Sequence, residues 1–183
     1  MNTALLEGRK MTSASSSPSV PSVASREFRD AMAALAAPVT IVTCYDEDGT
    51  PRGLTASAVT SLSMDPPLVL VCLDRRSRTH DTLLAASSFC INLLAPGNEP
   101  LAAQFAGDPD RRFTGLELAA GPAPVLAASS LQVTCAHEAV RAGGDHSILI
   151  GRVTAVTGGG TDHAAGGLLW HQRGFAHAAP AAT

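Results

Sequence analysis

Short apolar runs, alternating or continuous and punctuated by glycine and proline, recur along this chain more often than helical spacing does. The pattern predicts a mainly β, α+β protein with short peripheral helices. Residues 26–37 read as a helix, with Ser25 as its cap and Phe28, Met32 and Leu35 at spacings of four and three. Pro38 should end it by holding Ala37 extended. Residues 39–45 are β-branched and strand-like, and DEDGT turns the chain into a second strand, an antiparallel hairpin. Residues 80–86, with Leu83 and Leu84, and residues 99–106 are helical by spacing; residues 89–94 lie between them as a strand. Residues 107–113 form a loop ending in Phe113, and residues 114–129, with Gly121, Pro122 and Pro124, wrap the domain more than they build it. Residues 131–141 and 147–156 pair across AGGD as the longest hairpin, inside which Gly151 permits a bulge or a close approach by ligand. A short strand over residues 168–170 and the sequence HQRGF close the domain.

One stretch is unlike a core strand. From Arg52 onward, Gly53, Thr55, Ala56, Ser57, Ala58 and Ser61 leave little side chain over the backbone, so peptide N–H and C=O groups could meet the polar edge of a flat ligand. Met64, Asp65, Pro66 and Pro67 then break the ladder, because proline cannot donate to it. Residues 68–73 read as a fully buried strand that ends at Asp74.

Beyond Asp74, Arg75, Arg76 and Arg78 interleave with Ser77 and Thr79 just ahead of the helix expected over 80–86. Hydroxyls, guanidinium groups and free N–H groups at a helix start all favour an anion, which makes this a candidate phosphate seat. The plainer alternative is that Ser77 or Thr79 caps the helix and the arginines are solvated. A second candidate is the turn Gly144-Asp145-His146, whose plainer reading is an Asp-capped hairpin with a partly exposed histidine. Asn92 stands in an apolar run, where a buried amide must find partners from backbone or from a ligand edge; backbone is the favoured source.

The segments GLTASAVTSLSMDPPLVLVCLDRRSRT, FCINLLA, DRRF and GDHSILIGRV occur in the order expected of the short-chain flavin reductase family, and residues 26–177 resemble it. The resemblance implies an FMN-binding split β-barrel, a Greek-key antiparallel barrel. It implies an NAD(P)H:flavin oxidoreductase that reduces free FMN or FAD, takes hydride from NADH or NADPH, and supplies reduced flavin to a separate flavin-dependent monooxygenase. Thr55, Ala56, Ser57, Ala58 and Ser61 would border the ring, Asp74, Ser77, Arg78 and Thr79 the phosphate, and the segment carrying Asn92 often lies near the isoalloxazine. His146 would position the nicotinamide, with Asp145 fixing its tautomer. Relatives place the DRRF region at the rim of the site; here a solvated loop anchored by Phe113 is the simpler account of Arg111 and Arg112. Relatives form homodimers whose subunits help to build each site. Where they end in Tyr-rich segments this chain has Trp170, Arg173 and Phe175, for packing or for contact with an adenine. Two other functions stay open: an oxidase-like flavoprotein retaining its flavin, and a non-catalytic flavin binder.

Composition narrows the field. The 183 residues allow one domain over 26–177, with a polar tail over 1–25 and a short tail over 178–183. A net charge of −3 and only 4% aromatic residues argue against a nucleic-acid platform. No apolar run approaches the ~18 residues of a membrane span. The N-terminal stretch lacks the apolar centre of a secretory signal, so a cytoplasmic protein is expected. Cys44, Cys72, Cys90 and Cys135 are scattered among strands and read as small hydrophobes, without the clustering of a disulfide framework or metal site. Lys10 is the one lysine, which disfavours a pyridoxal-phosphate pocket, and Gly158, Gly159 and Gly160 read as a flexible turn because no lysine or helix follows.

Overall fold

The computed structural model describes residues 22–158 and 166–178. Most of the expected N-terminal tail, Gly159, Gly160 and residues 179–183 lie outside them. Helix α1 (Ser25–Ala33) leads into strands β1 (Ala37–Pro38), β2 (Thr40–Tyr45), β3 (Pro51–Ala56), β4 (Val59–Met64) and β5 (Pro67–Asp74). Helix α2 (His80–Ala85), strand β6 (Ser88–Leu93) and helix α3 (Glu99–Ala106) follow. The remaining strands are β7 (Leu118–Ala119), β8 (Val125–Leu126), β9 (Leu131–Gly143), β10 (His146–Gly158), β11 (Leu168–His171) and β12 (Gly174–His177).

Seven strands form one antiparallel sheet in the order β3-β2-β6-β9-β10-β5-β4. Its two outermost strands are consecutive in the chain and joined only by Ser57 and Ala58. A flat sheet would hold those edges roughly 29 Å apart at ~4.8 Å per strand spacing. Three Cα steps reach at most ~11 Å. The sheet must therefore curl until its edges converge at the link, although the described strands form no ladder between β3 and β4. The Ala58 carbonyl accepts a 2.9 Å hydrogen bond from the Cys72 N–H, which fastens the link to β5.

Inside the curl lie Val42, Cys44, Val71, Leu73, Leu83, Phe89, Ile91 and Leu149. A second cluster, including Ile41, Leu94, Leu101, Phe105 and Leu126, packs under α3. Strand β2 faces both clusters, which is why Thr40 to Cys44 is buried without alternation. The run over residues 68–73 differs from expectation: only Val71 and Leu73 are buried. It lies next to the edge strand β4, so one of its faces is incompletely covered. The small-residue stretch is likewise two strands at opposite edges instead of one, and Pro67 opens β5 opposite Met64.

The first helix also stops earlier than predicted. Ala37 and Pro38 pair with Trp170 and Leu169 of β11, so the chain must leave helical geometry before Pro38 restricts it. Its N-cap is Ala24, with no side-chain cap bond. Phe28, Met32 and Leu35 are exposed, while Asp30 pairs with Arg173 and the Ala33 carbonyl accepts from the Gln172 N–H. Trp170 and Phe175 meet edge to face, with ring centres 5.2 Å apart, so all three C-terminal residues serve packing around α1 and the last hairpin.

The β9–β10 hairpin closes through Gly144 and Asp145, with Gly144 at φ +66°. Its register shifts at Gly151, where the anticipated bulge occurs, and the vacant space is filled by the Phe89 ring and not by a ligand surface. A Cβ on Gly151 would press on that ring and lie 2.8 Å from the Cys135 Cβ. Gly151→Ala should lower the stability measured by denaturant unfolding by about 1–3 kcal/mol through overpacking. An unchanged midpoint would mean that the Phe89 ring has room to move.

Candidate functional site

Antiparallel register brings the two candidate motifs together. His146 of β10 stands opposite Asp74 of β5, and the Arg75 N–H donates 3.1 Å to the Asp145 carbonyl. The arginine-rich loop and the GDH turn, far apart in sequence, thus share one end of the sheet.

Asp74 shapes this loop. Its carboxylate accepts from the Arg76 backbone N–H at 2.9 Å and from Arg76 Nε and Nη2 at 3.1 and 2.8 Å. The side-chain hydrogen bonds from Arg76 are the main reason its carboxyl is held well below the usual carboxylate range. Asp74 is therefore engaged by the protein, and Arg76 with it. Ser77 Oγ accepts from the Thr79 N–H at 3.3 Å, and the Ser77 carbonyl accepts from the His80 N–H at 3.0 Å. Thr79 does not cap α2 with its side chain, whereas Ser77 closes the turn that leads into the helix and the arginines of the loop are exposed, as the plainer reading has it. Arg78 is exposed and lies 3.5 Å from the Asp108 carboxylate.

Beneath the loop is a residue that sequence reasoning left in solvent. Arg112 is only 8% exposed. Its Nη1 donates to the Gly53 carbonyl at 2.6 Å and to Thr79 Oγ1 at 3.1 Å; Nε and Nη2 both donate to the Gly107 carbonyl, at 3.3 and 2.9 Å. Burial, then the nearby Arg78 charge, press its pKa downward. A turn of 3₁₀ helix at Pro109–Arg111 leaves Arg111 outside and rotates Arg112 inward. Phe113 packs edge to face on Phe105 at 4.9 Å, as the expected anchor. The arginine pair gave no signal as to which member turns in.

On the other side of the loop, His146 Nδ1 lies 2.7 Å from Asp145 Oδ1. A carboxylate only accepts, so Nδ1 carries the proton, and Nε2 makes no hydrogen bond among the described residues. That hydrogen bond is also the main cause lowering the Asp145 carboxyl pKa. Behind it, His80 Nδ1 lies 2.6 Å from Asp81 Oδ1, and His80 Nε2 lies 3.0 Å from Ser147 Oγ. These distances resemble a hydrolytic triad, but Ser147 is buried within β10 and the Asp81 side chain is fully exposed. The set instead ties the start of α2 to the strand that begins with His146.

The β3–β4 link forms the third side. Thr55 Oγ1 donates 2.6 Å to the Ala102 carbonyl, and the buried Ala56 carbonyl accepts 2.7 Å from Thr40 Oγ1. These groups are taken up by the fold, whereas Ser57, Ala58 and Ser61 are exposed, and β4 pairs on one side only, with β5. Asn92 stands apart from all of this. Its amide donates 3.1 Å to the Ile41 carbonyl and to Thr43 Oγ1 and accepts 2.9 Å from the Leu126 N–H, in the core. The fold itself completes its bonding, and we place it outside the candidate site.

Two hollows elsewhere do not compete for an anion. One of about 630 Å³ is bordered by Asp46, Glu47, Asp48 and Asp81, whose charge would repel it; the other, about 370 Å³, is lined mainly by apolar residues such as Leu116 and Leu126. Burial pushes the thiols of Cys44, Cys90 and Cys135 up to about 12, 11 and 12, so they stay protonated at neutral pH. No group of three potential metal ligands occurs among the described residues.

Residues 32–179 match the flavin reductase like domain, which is most of the chain. The chain belongs to this family. The NADH flavin reductase of Kitasatospora aureofaciens is 39% identical over 142 residues, covering 75% of this chain and 73% of that protein. The stachydrine N-demethylase reductase subunit of Rhizobium meliloti is 37% identical over 124 residues, covering 67% of this chain, and the match spans only 54% of that longer relative. Among solved structures, the Streptomyces globisporus NADH:FAD oxidoreductase in complex with NAD and FAD fragments superposes with a TM-score of 0.78 at 31% identity, covering 86% of this chain and 94% of that one. The mainly β, antiparallel architecture of this flavin reductase-like domain is thus that of its relatives.

The loop geometry has a titration signature. A carboxyl whose folded pKa is depressed contributes stability that is present above the unfolded value, ~3.9, and lost as pH falls through the folded value. In wild-type protein Asp74 should therefore remain ionised well below pH 4 by NMR titration, and Arg76→Ala should raise its pKa part of the way back, because the backbone N–H at position 76 still donates to it. An Asp74 that titrates normally in both proteins would show that the Arg76 contact does not persist in solution.

Proposed function

We propose that this protein is an NADH:flavin oxidoreductase that reduces FMN or FAD and supplies reduced flavin to a separate monooxygenase. The observation that carries this reading is the register that sets His146 beside Asp74, and so a histidine next to the Ser77–Thr79 loop, with the exposed edge of β4 leading away from the link. The residues suit a phosphorylated flavin: Arg112 is a buried cation bonded only to neutral oxygens, and a phosphate nearby would complement it. When both are bound, the nicotinamide supplies the hydride that reduces the isoalloxazine.

This chain's own groups bind and orient. Backbone at Ser57 and Ala58, with Ser61, would meet the polar edge of the ring, and Ser77, Arg78 and Thr79 the phosphate. Asp145 holds the proton on His146 Nδ1, which leaves Nε2 available to position the nicotinamide amide. Such a site needs alignment and exclusion of water more than an acid or base. The relatives named as an NADH flavin reductase and as a demethylase reductase subunit support this reading. NADPH use remains compatible with the same site.

A homodimer fits the exposed apolar surface. Leu62 and Met64 on the edge strand β4 are 46% and 89% exposed, and a second copy would cover that edge. A cytoplasmic location fits the free flavin and nicotinamide such a reaction uses.

Steady-state oxidation of NADH, with and without FMN, FAD and riboflavin, tests the proposal. Turnover should depend on added flavin; tightly retained flavin with no NADH oxidation would overturn it. His146→Ala should raise the KM for NADH about tenfold, equivalent to ~1.4 kcal/mol, with a smaller effect on the KM for flavin. The reverse pattern would remove His146 from the nicotinamide side.

A further inference from the structure

Arg112 lies in the DRRF segment that the sequence reading left as a solvated rim loop, yet it touches three separate segments. One guanidinium joins Gly53 of β3, Thr79 of the arginine-rich loop and Gly107 at the end of α3. A buried guanidinium is costly unless its charge is answered, and the usual answer is a carboxylate. Here the acid of its own loop, Asp108, pairs with Arg78 instead and accepts from the Asp110 N–H. All the oxygens that Arg112 contacts are uncharged. Apart from a weaker attraction to Asp108, its positive charge thus has no bonded counter-ion beneath Ser77, Arg78 and Thr79.

We propose that Arg112 is the positioning residue of the phosphate seat, bracing the Ser77–Thr79 loop against β3 and supplying buried positive charge that favours a phosphate monoester or diphosphate over a neutral ligand. The inference rests on the flavin reading above and deepens it. Thr79 is the contact through which the bracing acts. Its hydroxyl accepts from Arg112, so its own proton must point elsewhere, and among the described residues no acceptor takes it. Gly53 is the second anchor: a Cβ there would lie 2.9 Å from the Val42 carbonyl and from the Thr43 methyl, so β3 can approach β2 closely, and its carbonyl is held toward Arg112. The buried charge differs from those of Arg75, Arg76 and Arg78, which are exposed and screened by water and salt. Selectivity for the phosphorylated ligand is therefore assigned mainly to the arginine that is out of sight.

Equilibrium titration of the full chain with FMN and with riboflavin, followed by flavin fluorescence, measures this without turnover. Arg112→Gln should weaken FMN at least tenfold and riboflavin less than twofold. Arg112→Lys, which keeps the charge, should retain the FMN preference to within about threefold. Thr79→Val leaves Arg112 in place and should lower the FMN-to-riboflavin preference by a smaller factor. Added to Arg112→Gln, it should cost less than it does in the wild type, because part of its effect runs through the shared contact. If Arg112→Gln does not fold, an unchanged preference in Thr79→Val overturns the inference by itself. Equal losses for FMN and riboflavin would reduce Arg112 to a structural strut, and unchanged affinities would remove it altogether. Wild-type protein that binds neither ligand would instead overturn the flavin reading, so the two failures are told apart.

Discussion

Two residues, Ser57 and Ala58, connect strands that occupy opposite edges of a seven-stranded sheet, and everything at the candidate site follows from that short reach. The sheet has to bend until its margins meet there, which leaves β4 as an edge with unpaired peptide groups beside the link. The same bending encloses Phe89, Leu73 and Leu149 and makes β2 an interior strand. Small residues at the link are thus a geometric requirement before they are a binding feature: the Ala58 carbonyl must reach Cys72, and Ala56 must fit against Thr40.

Charge at this end of the sheet is arranged in two layers. The outer layer consists of exposed pairs, Asp74 with Arg76 and Asp108 with Arg78, which fix loop shape but are weakened by solvent. The inner layer is Arg112, surrounded by carbonyl and hydroxyl oxygens that orient it without neutralising it. Most peptide N–H groups of the loop bond within it or to Asp145, so an anion arriving there would meet the Ser77 and Thr79 hydroxyls, with a cation behind them. His146, held by Asp145 on the adjoining turn, adds a polar group opposite Asp74.

Much of this was legible in the sequence. Period-two patterning, the DEDGT and AGGD turns, and the motif order identified the hairpins and the family. The bulge at Gly151 followed from a glycine inside a long strand. What could not be read was tertiary. Pro38 marked a helix limit, but only the pairing of Ala37 with Trp170 explains why the helix ends at Ala33. The apolar run over 68–73 implied a strand covered on both faces, whereas its place next to the sheet edge leaves one face partly open. Asn92 could have faced a ligand or the backbone, and its partners Ile41, Thr43 and Leu126 come from distant segments that local pattern cannot align. Arg111 and Arg112 are adjacent and chemically identical; a 3₁₀ turn decides which one is buried.

We propose that a phosphorylated flavin binds between the β3–β4 link and the Ser77–Thr79 loop, beside His146. Backbone amide shift mapping of isotope-labelled protein during an FMN titration tests it most directly. Saturable shifts should cluster at Ser57, Ala58, Ser77, Arg78, Thr79 and His146. Shifts confined to the acidic hollow around Asp46 and Asp81, or none at the link and loop, would contradict the account.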